Sequence, residues 1–406
     1  MKISILKYGG TSVASPEGRD RIVEQVLRSR QDGYATVVVV SAFGRKGDPY
    51  ATDTLIHLLP APELDYQSRE MDLLMSCGET IAAVLIANRF KQEGCRAMAF
   101  TGYQAGIRTD STFGDARVLS VDPGAILKAL RDDNIVIVTG FQGMDDENNV
   151  TTLGRGGSDT SAAILGVALD AERIEIYTDV EGVMTADPRM VSEARVLDRI
   201  SYDEVYQMAK DGAKVVDYKA VAIAREANKP LVIRSTFSDA PGTEIIGKTR
   251  DIDDMDDPAK VLTAVALKHN YVQLTVEISA KDHHNENLLN RLDQERISID
   301  MINFFEKRKV FIIDEKDLSK AVSILNEIGL VFHTLSGCSK VTAIGHRMHG
   351  VPGVMKRIVF ALSRANIEIL QSSDSNTTIS CLVHSAFAQE AINVLHNEFR
   401  LHEVSE

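Results

Sequence analysis

Six short apolar runs recur along the first part of the chain: ISILKY (3–8), ATVVVVSA (35–42), RAMAFT (96–101), IVIVTGF (135–141), RIEIYTD (173–179) and PLVIRST (230–236). Most are rich in Ile and Val with little polar alternation, which suits strands covered on both faces of a parallel sheet. Residues 17–31, 67–93, 122–132, 158–170 and 213–227, which lie between the runs, carry helical spacing. Such alternation predicts an α/β, doubly wound, mainly parallel sheet sandwich that takes its ligands at the carboxyl ends of the strands. The candidate motifs fall at those ends: KYGGTS, SAFG, GFQG, LGRGGSD and TDVEG.

The pattern changes after RDIDDMDDPAK (250–260), which reads as an acidic linker. Beyond it, ISID at 297 aligns with IEIL at 367 without a gap, an offset of 70. The same offset pairs Leu292 with Leu362, Ala321 with Ala391, Val322 with Ile392 and Leu325 with Leu395. With YVQLTVEIS and SKVTAIGH as opening strands, each copy reads β-α-β-β-α-β, the ferredoxin-like plan. The expected domains are 1–249, a linker at 250–260, and small domains at 261–336 and 337–406.

The formal net charge of −13 argues against nucleic acid or an anionic membrane as the main partner. Cys77, Cys95, Cys338 and Cys381 form no C-x-x-C and read as free thiols of a reducing compartment. The N-terminus has no signal-peptide pattern, and no run approaches the roughly 18 apolar residues of a membrane span, so a cytoplasmic protein is expected. H-E-x-x-H, clustered His/Cys ligands and G-x-S-x-G are missing from the sequence, which gives a metalloprotease or hydrolase no footing and predicts no protein-held metal.

TTLGRGGSDTSAAILG (151–166) is a glycine-rich turn entering a helix, an arrangement that usually meets an anion. It is neither a P-loop nor G-x-G-x-x-G. KYGGTS sets Lys7 beside Gly9 and Gly10, suited to a polyphosphate or to a plain tight turn. TDVEGVMTADPR (178–189) offers Thr178, Asp179, Asp187 and Arg189, either to a nucleotide or to solvent as a surface loop. Glu79, in SCGETI, lies in an apolar helical run and needs a cation, whether a protein side chain or a ligand.

Taken in order, KYGGTS, SAFG…ATDTL, CGE, GFQG, TTLGRGGSDTSAA, TDVEGVMTADPR and GAKVV resemble the aspartate kinases over essentially the whole chain. The resemblance implies an amino-acid kinase fold followed by two tandem ACT domains. It also implies transfer of the ATP γ-phosphoryl group to the β-carboxylate of L-aspartate. That step opens the pathway to lysine and diaminopimelate, threonine and methionine. A carboxylate nucleophile, with a reference pKa of about 4, needs no general base; the demand is charge neutralisation and alignment.

By motif, the resemblance gives Lys7, Tyr8, Gly9 and Gly10 to the phosphates, Arg155 to the α-carboxylate of aspartate and Glu79 to its ammonium. Ser41, Thr52, Phe141, Gly156, Gly157 and Ser158 complete the amino-acid site. Asp159 orients Lys7 or Mg²⁺-bound water. Thr178, Asp179, Val183, Asp187, Arg189 and Lys214 contact ATP, and Mg²⁺ arrives mainly on the nucleotide. The chain departs from the family with Tyr218 and Lys219 where Pro and Arg are common. In the first repeat P-G-V is replaced within ISAKDHHNENLL, and Phe304 replaces a common glutamine; HGVPGVMKRI keeps the loop in the second. With ILQSSDSNTTISCLV, this is most similar to the diaminopimelate-sensitive aspartate kinases of spore-forming Gram-positive bacteria. That implies meso-diaminopimelate as effector, ahead of lysine or threonine, and a homodimer formed through the ACT domains. Another amino-acid kinase, such as glutamate 5-kinase or a uridylate kinase, would lack Glu79 in CGE and Arg155. A non-catalytic sensor would have no reason to keep Lys7, Glu79, Arg155, Asp159 and Asp179 together.

Overall fold

The computed structural model describes residues 1–59, 67–213, 215–247, 261–277, 284–346, 348 and 351–403. The expected linker at 250–260 and Lys214 lie outside the described residues. The chain divides into two compact units. One comprises Met1–Val183, Val196–Ala209 and Lys214–Thr249; the other Met184–Arg195, Lys210–Ala213 and Arg250–Glu406.

The first unit begins with Ile3–Tyr8 (β1), Gly10–Ala14 (α1), Pro16–Gln31 (α2), Ala35–Val40 (β2), Thr52–Ile56 (α3) and Arg69–Gln92 (α4). It continues through Ala97–Phe100 (β3), Ile107–Thr109 (β4), Val118–Val121 (β5), Gly124–Arg131 (α5) and Ile135–Thr139 (β6). Gln142–Met144 (β7), Val150–Thr152 (β8), Gly157–Ala168 (α6) and Arg173–Thr178 (β9) follow. Arg199–Ser201 (β10), Tyr202–Lys210 (α7), Tyr218–Glu226 (α8), Leu231–Ser235 (β11) and Thr243–Ile246 (β12) complete the series, with the last residue of α7 in the second unit.

Local chemistry sets the helix ends. Ser15 accepts the Gly18 N–H and Pro16 occupies the first turn of α2, where a missing N–H costs nothing. Ser68 does the same for α4 through Met71. Helix α8 begins at Tyr218, five residues later than its spacing suggests, because Asp217 caps it by accepting the Lys219 N–H. Helix α7, which the spacing did not reveal, opens on a capping box: Ser201 accepts the Glu204 N–H, and the Glu204 carboxylate accepts the Ser201 N–H.

The main sheet has the order β10-β12-β11-β9-β1-β2-β6-β3 and is parallel except for β11 against β12. Leu6, Tyr8, Val38, Val40 and Ile137 pack on one face with Ile22 and Val26 of α2 and Ile86 and Phe90 of α4. On the other face α6 lies so close that a Cβ on Gly166 would come within 2.4 Å of Ile174. Strand order reverses at β1, with β2 on one side and β9 on the other. That reversal opens a crevice beyond their carboxyl ends, where the glycine turns lie. A small sheet, β5-β4-β7-β8, was not evident from the sequence; its strands are three or four residues long, too short to carry a period.

The second unit holds a six-stranded sheet. Its elements are Leu262–Glu277 (β13), His284–Gln294 (α9), Asp300–Phe304 (β14), Lys309–Asp314 (β15), Leu318–Ile328 (α10) and Val331–Gly345 (β16), then Val354–Arg364 (α11), Gln371–Asp374 (β17), Thr378–His384 (β18) and Ala388–Glu398 (α12). The offset of 70 holds for both helix pairs, 284–294 with 354–364 and 318–328 with 388–398. The strand order, β14-β15-β13-β16-β18-β17, interleaves the two copies. Asn270, at φ 65°, marks an irregularity that divides β13 in two. Tyr271–Glu277 lies between β15 and the first part of β16, and Val272 and Leu274 join the core of the first copy with Leu292, Phe311 and Leu325. Leu262–Lys268 pairs instead with Lys340–Gly345, and Leu262 and Val265 join the second core with Ile358, Leu362 and Leu395. The closing strand of the second copy thus precedes the first copy in sequence.

Candidate active site

The turns at the ends of β1, β2 and β6, the start of α6 and one face of α4 enclose a cavity of about 630 Å³. Lys7, Gly10, Ser41, Thr52, Glu79, Phe141, Arg155, Gly156, Gly157, Ser158 and Asp159 all line it. Eleven residues taken from six separate motifs therefore meet in one place.

Lys7 and Asp159 form the most shielded ion pair in the cavity, with Nζ and Oδ1 2.7 Å apart. The second Asp159 oxygen accepts the Asp217 N–H at 3.0 Å, so the carboxylate is held from both sides. Asp217 was not expected in the site. Its own carboxyl titrates above the ordinary range, first because of burial.

Glu79 projects from the buried face of α4. Gly78 lets the loop after β2 press against that helix: a Cβ there would stand 2.7 Å from the Tyr50 carbonyl. This close approach brings the Ala42 N–H to Glu79 Oε1 at 3.1 Å. Oε2 is buried and has no partner among the described residues. Burial pushes the carboxyl up to about 8. The structural salt bridge that could have satisfied Glu79 is not found among the described residues, so the open oxygen points to a ligand cation.

The turn before α6 is built on glycine. Gly156 caps the helix at φ 73°, and a Cβ there would sit 2.2 Å from the Asp217 carboxylate. Gly157 makes room for the Phe141 ring, which a Cβ would approach to 2.8 Å. Phe141 itself is left-handed, φ 72°, and is held there by its N–H on Ser161 Oγ and its carbonyl on the Leu153 N–H. Arg155 is exposed and makes no ion pair with a described residue.

Asp72, seven residues before Glu79 on α4, was missed by the sequence reading. Fully buried, it accepts the Thr152 N–H at 2.7 Å, the Thr152 hydroxyl at 2.8 Å and the Gly114 N–H. It anchors the strand that delivers LGRGGSD. The signal was available, since Asp72 is an acid among apolar neighbours just as Glu79 is.

The nucleotide residues are more dispersed. Gly9 gives its N–H to the Tyr177 carbonyl, which joins the β1 turn to the end of β9, where Thr178 and Asp179 stand. Asp179 pairs with Arg45 at 2.6 Å. The Tyr8 ring does not face the cavity; alternation along β1 turns it into the opposite layer, stacked on Tyr177 at 4.7 Å. Val183 is buried, its N–H on Thr243 Oγ1. Asp187 and Arg189 belong to the second unit, where they form a forked pair.

The doubly wound sheet thus gathers lysine, arginine and an open carboxylate on glycine turns at its switch point, the arrangement of an anion-handling α/β enzyme. Residues 2–235 match the amino acid kinase family and residues 334–397 match an ACT domain. The chain is 41% identical to Aspartokinase 1 of Bacillus subtilis (strain 168) over 402 residues, covering 99% of this chain and 100% of that one. It is 38% identical to Aspartokinase of Mycolicibacterium smegmatis over 418 residues, covering 99% and 97%. E. coli aspartokinase III in complex with aspartate and ADP (R-state) superposes with a TM-score of 0.81 at 27% identity, covering 98% and 99% of the two chains. The same enzyme in complex with lysine and aspartate (T-state) gives 0.74 at 26% identity, covering 98% and 100%. The chain belongs to the aspartokinases, within the amino acid kinase family. No described helix is long and apolar enough to cross a membrane.

Proposed function

We propose that the cavity transfers the γ-phosphoryl group of ATP to the β-carboxylate of L-aspartate, giving ADP and 4-phospho-L-aspartate. One observation carries the assignment: the buried Oε2 of Glu79 and the guanidinium of Arg155, both without a partner among the described residues, share a cavity with the Lys7–Asp159 pair. That set complements an ammonium, a carboxylate and a phosphate at once. In the transfer, a β-carboxylate oxygen forms a bond to phosphorus while the bond to the β–γ bridging oxygen breaks. The electron pair leaves on ADP, and no proton need move.

Arg155 grips the α-carboxylate in a planar fork, and Glu79 receives the ammonium. Ser41, Thr52, Phe141, Gly156, Gly157 and Ser158 shape the rest of the amino-acid pocket. Lys7, with the Gly9–Gly10 turn and the backbone of Tyr8, neutralises the transferring phosphoryl group, and Asp159 aims Lys7. Thr178, Asp179, Val183, Asp187, Arg189 and Lys214 are assigned to ATP. Mg²⁺ bound to the nucleotide would shield phosphate charge. Its ligands would come mainly from phosphate and water, with Asp159 and Asp179 as the carboxylates that could orient that water.

The ferredoxin-like pair is assigned to an amino-acid effector, meso-diaminopimelate ahead of lysine or threonine, and to homodimer formation. The partition at 249, 260 and 336 is retained as a sequence partition, with strand 262–268 completing the later copy. A cytoplasmic location suits an ATP-dependent biosynthetic step.

The test is aspartate-dependent ADP formation with capture of the acyl phosphate as hydroxamate. Turnover with glutamate or UMP but not aspartate would overturn the assignment. Saturable inhibition by lysine alone would remove the effector preference, and a monomer by light scattering at micromolar concentration the dimer.

A further inference from the structure

The segment RKGDPY lies between the SAFG and ATDTL motifs and belongs to neither. Its backbone is nonetheless held firmly. Gly44 gives its N–H to the Gly10 carbonyl at 2.8 Å. A Cβ on Gly10 would lie 2.7 Å from the Gly44 carbonyl and 2.8 Å from that of Ala42, so the loop sits directly on the lysine-glycine turn. Asp48 then accepts the Arg45 N–H at 2.8 Å, and Gly47 donates to Thr54 Oγ1. Arg45 is therefore fixed by its backbone at the mouth of the cavity it lines. Its side chain is 72% exposed, with Asp179 as its ion-pair partner at 2.6 Å.

We propose that Arg45 is a further catalytic residue: its guanidinium leaves Asp179 and closes on the γ-phosphoryl group when ATP binds. The proposal rests on the reading above that phosphoryl transfer takes place in this cavity. Charge makes the case. The positive charge of Lys7 is largely offset by Asp159 2.7 Å away, and Arg155 is committed to the carboxylate of the acceptor. Two anions must nonetheless be brought together as negative charge spreads over the transferring oxygens. An ion pair this exposed is screened by water and holds weakly, so a multiply charged phosphate displaces Asp179 readily. The planar fork of Arg45 then bridges two oxygens of the phosphoryl group as its bond to ADP breaks and its bond to the carboxylate forms.

The experiment compares wild type, Arg45→Ala and Arg45→Lys for affinity toward Mg²⁺-ADP and Mg²⁺-AMPPNP by calorimetry, and for kcat. A contact to the γ-phosphoryl group weakens AMPPNP about tenfold or more in Arg45→Ala while ADP stays within about twofold. It lowers kcat about a hundredfold with little change in the KM for aspartate. Arg45→Lys recovers part of this, and added guanidinium restores activity to Arg45→Ala. Unchanged AMPPNP affinity and kcat, or equal losses for both nucleotides, would overturn the proposal. If the wild type failed to phosphorylate aspartate, the functional reading would fall, yet the AMPPNP–ADP comparison would still decide the role of Arg45.

Discussion

Lys7 Nζ lies 2.7 Å from Asp159 Oδ1, and both side chains are nearly enclosed, at 12% and 11% exposure. A carboxylate so placed steers a cation; it has no proton to remove from an acceptor that is already ionised. Asp159→Asn should therefore lower kcat by roughly 10²–10³, the scale of losing one aligned transition-state charge, with the KM for aspartate little changed. The shape of the pH–rate profile should persist. Loss of its acidic limb, recorded by steady-state assay across pH, would make Asp159 a base instead.

Glu79 gives a prediction with a definite sign. Burial raises its carboxyl to about 8, so with no cation beside it the group is mostly protonated at pH 7. An ammonium partner requires the anion, so aspartate binding at pH 7 should release close to one proton, a release that fades as pH rises past about 8. Calorimetry in two buffers of different ionisation enthalpy reads this directly, and Glu79→Gln should abolish the release. The linked stability term runs the same way. A raised folded-state pKa adds stability that is fully present below the unfolded value and is lost as pH rises through about 8.

Arg155→Lys keeps the charge and loses the fork. Aspartate binding should weaken by about 1.5–3 kcal/mol, with ATP affinity nearly unchanged. Titration with each ligand separately checks this; a collapse of ATP affinity would put Arg155 on the other substrate.

Asp72→Ala should destabilise the fold as well as the site. The N–H groups of Thr152 and Gly114 would lose their acceptor, a cost of at least about 2 kcal/mol. Urea unfolding should show the midpoint shift. Because LGRGGSD hangs on that strand, the KM for aspartate should rise too.

Much of the site was legible locally. Lys7, Glu79, Arg155 and Asp159 stand in short motifs whose composition declares a close backbone approach or an unpaired charge, and the fold brings all four to one cavity. Asp72 carried the same signal as Glu79, two helical turns away on the same face. Asp217 could have been read as a cap, but its backbone bond to Asp159 joins residues 58 positions apart, and no period reports such a contact. Nothing local distinguishes Arg45 from other exposed cations; its place follows from the seating of its loop on Gly10. Tyr8 lay inside a motif yet faces away, since neighbours on a strand point to opposite layers.

The sequence by itself determined the parallel sheet, the glycine turns at its carboxyl ends and the 70-residue repeat, because apolar period and backbone-permissive residues act over a few positions. Only the tertiary structure decided which strand completes which copy. Leu262–Lys268 precedes the first repeat in the chain but closes the second, pairing with Lys340–Gly345 and burying Leu262 and Val265 in its core. A strand's pattern states which faces must be covered, not which distant edge will cover its hydrogen bonds; packing across the whole unit settles that.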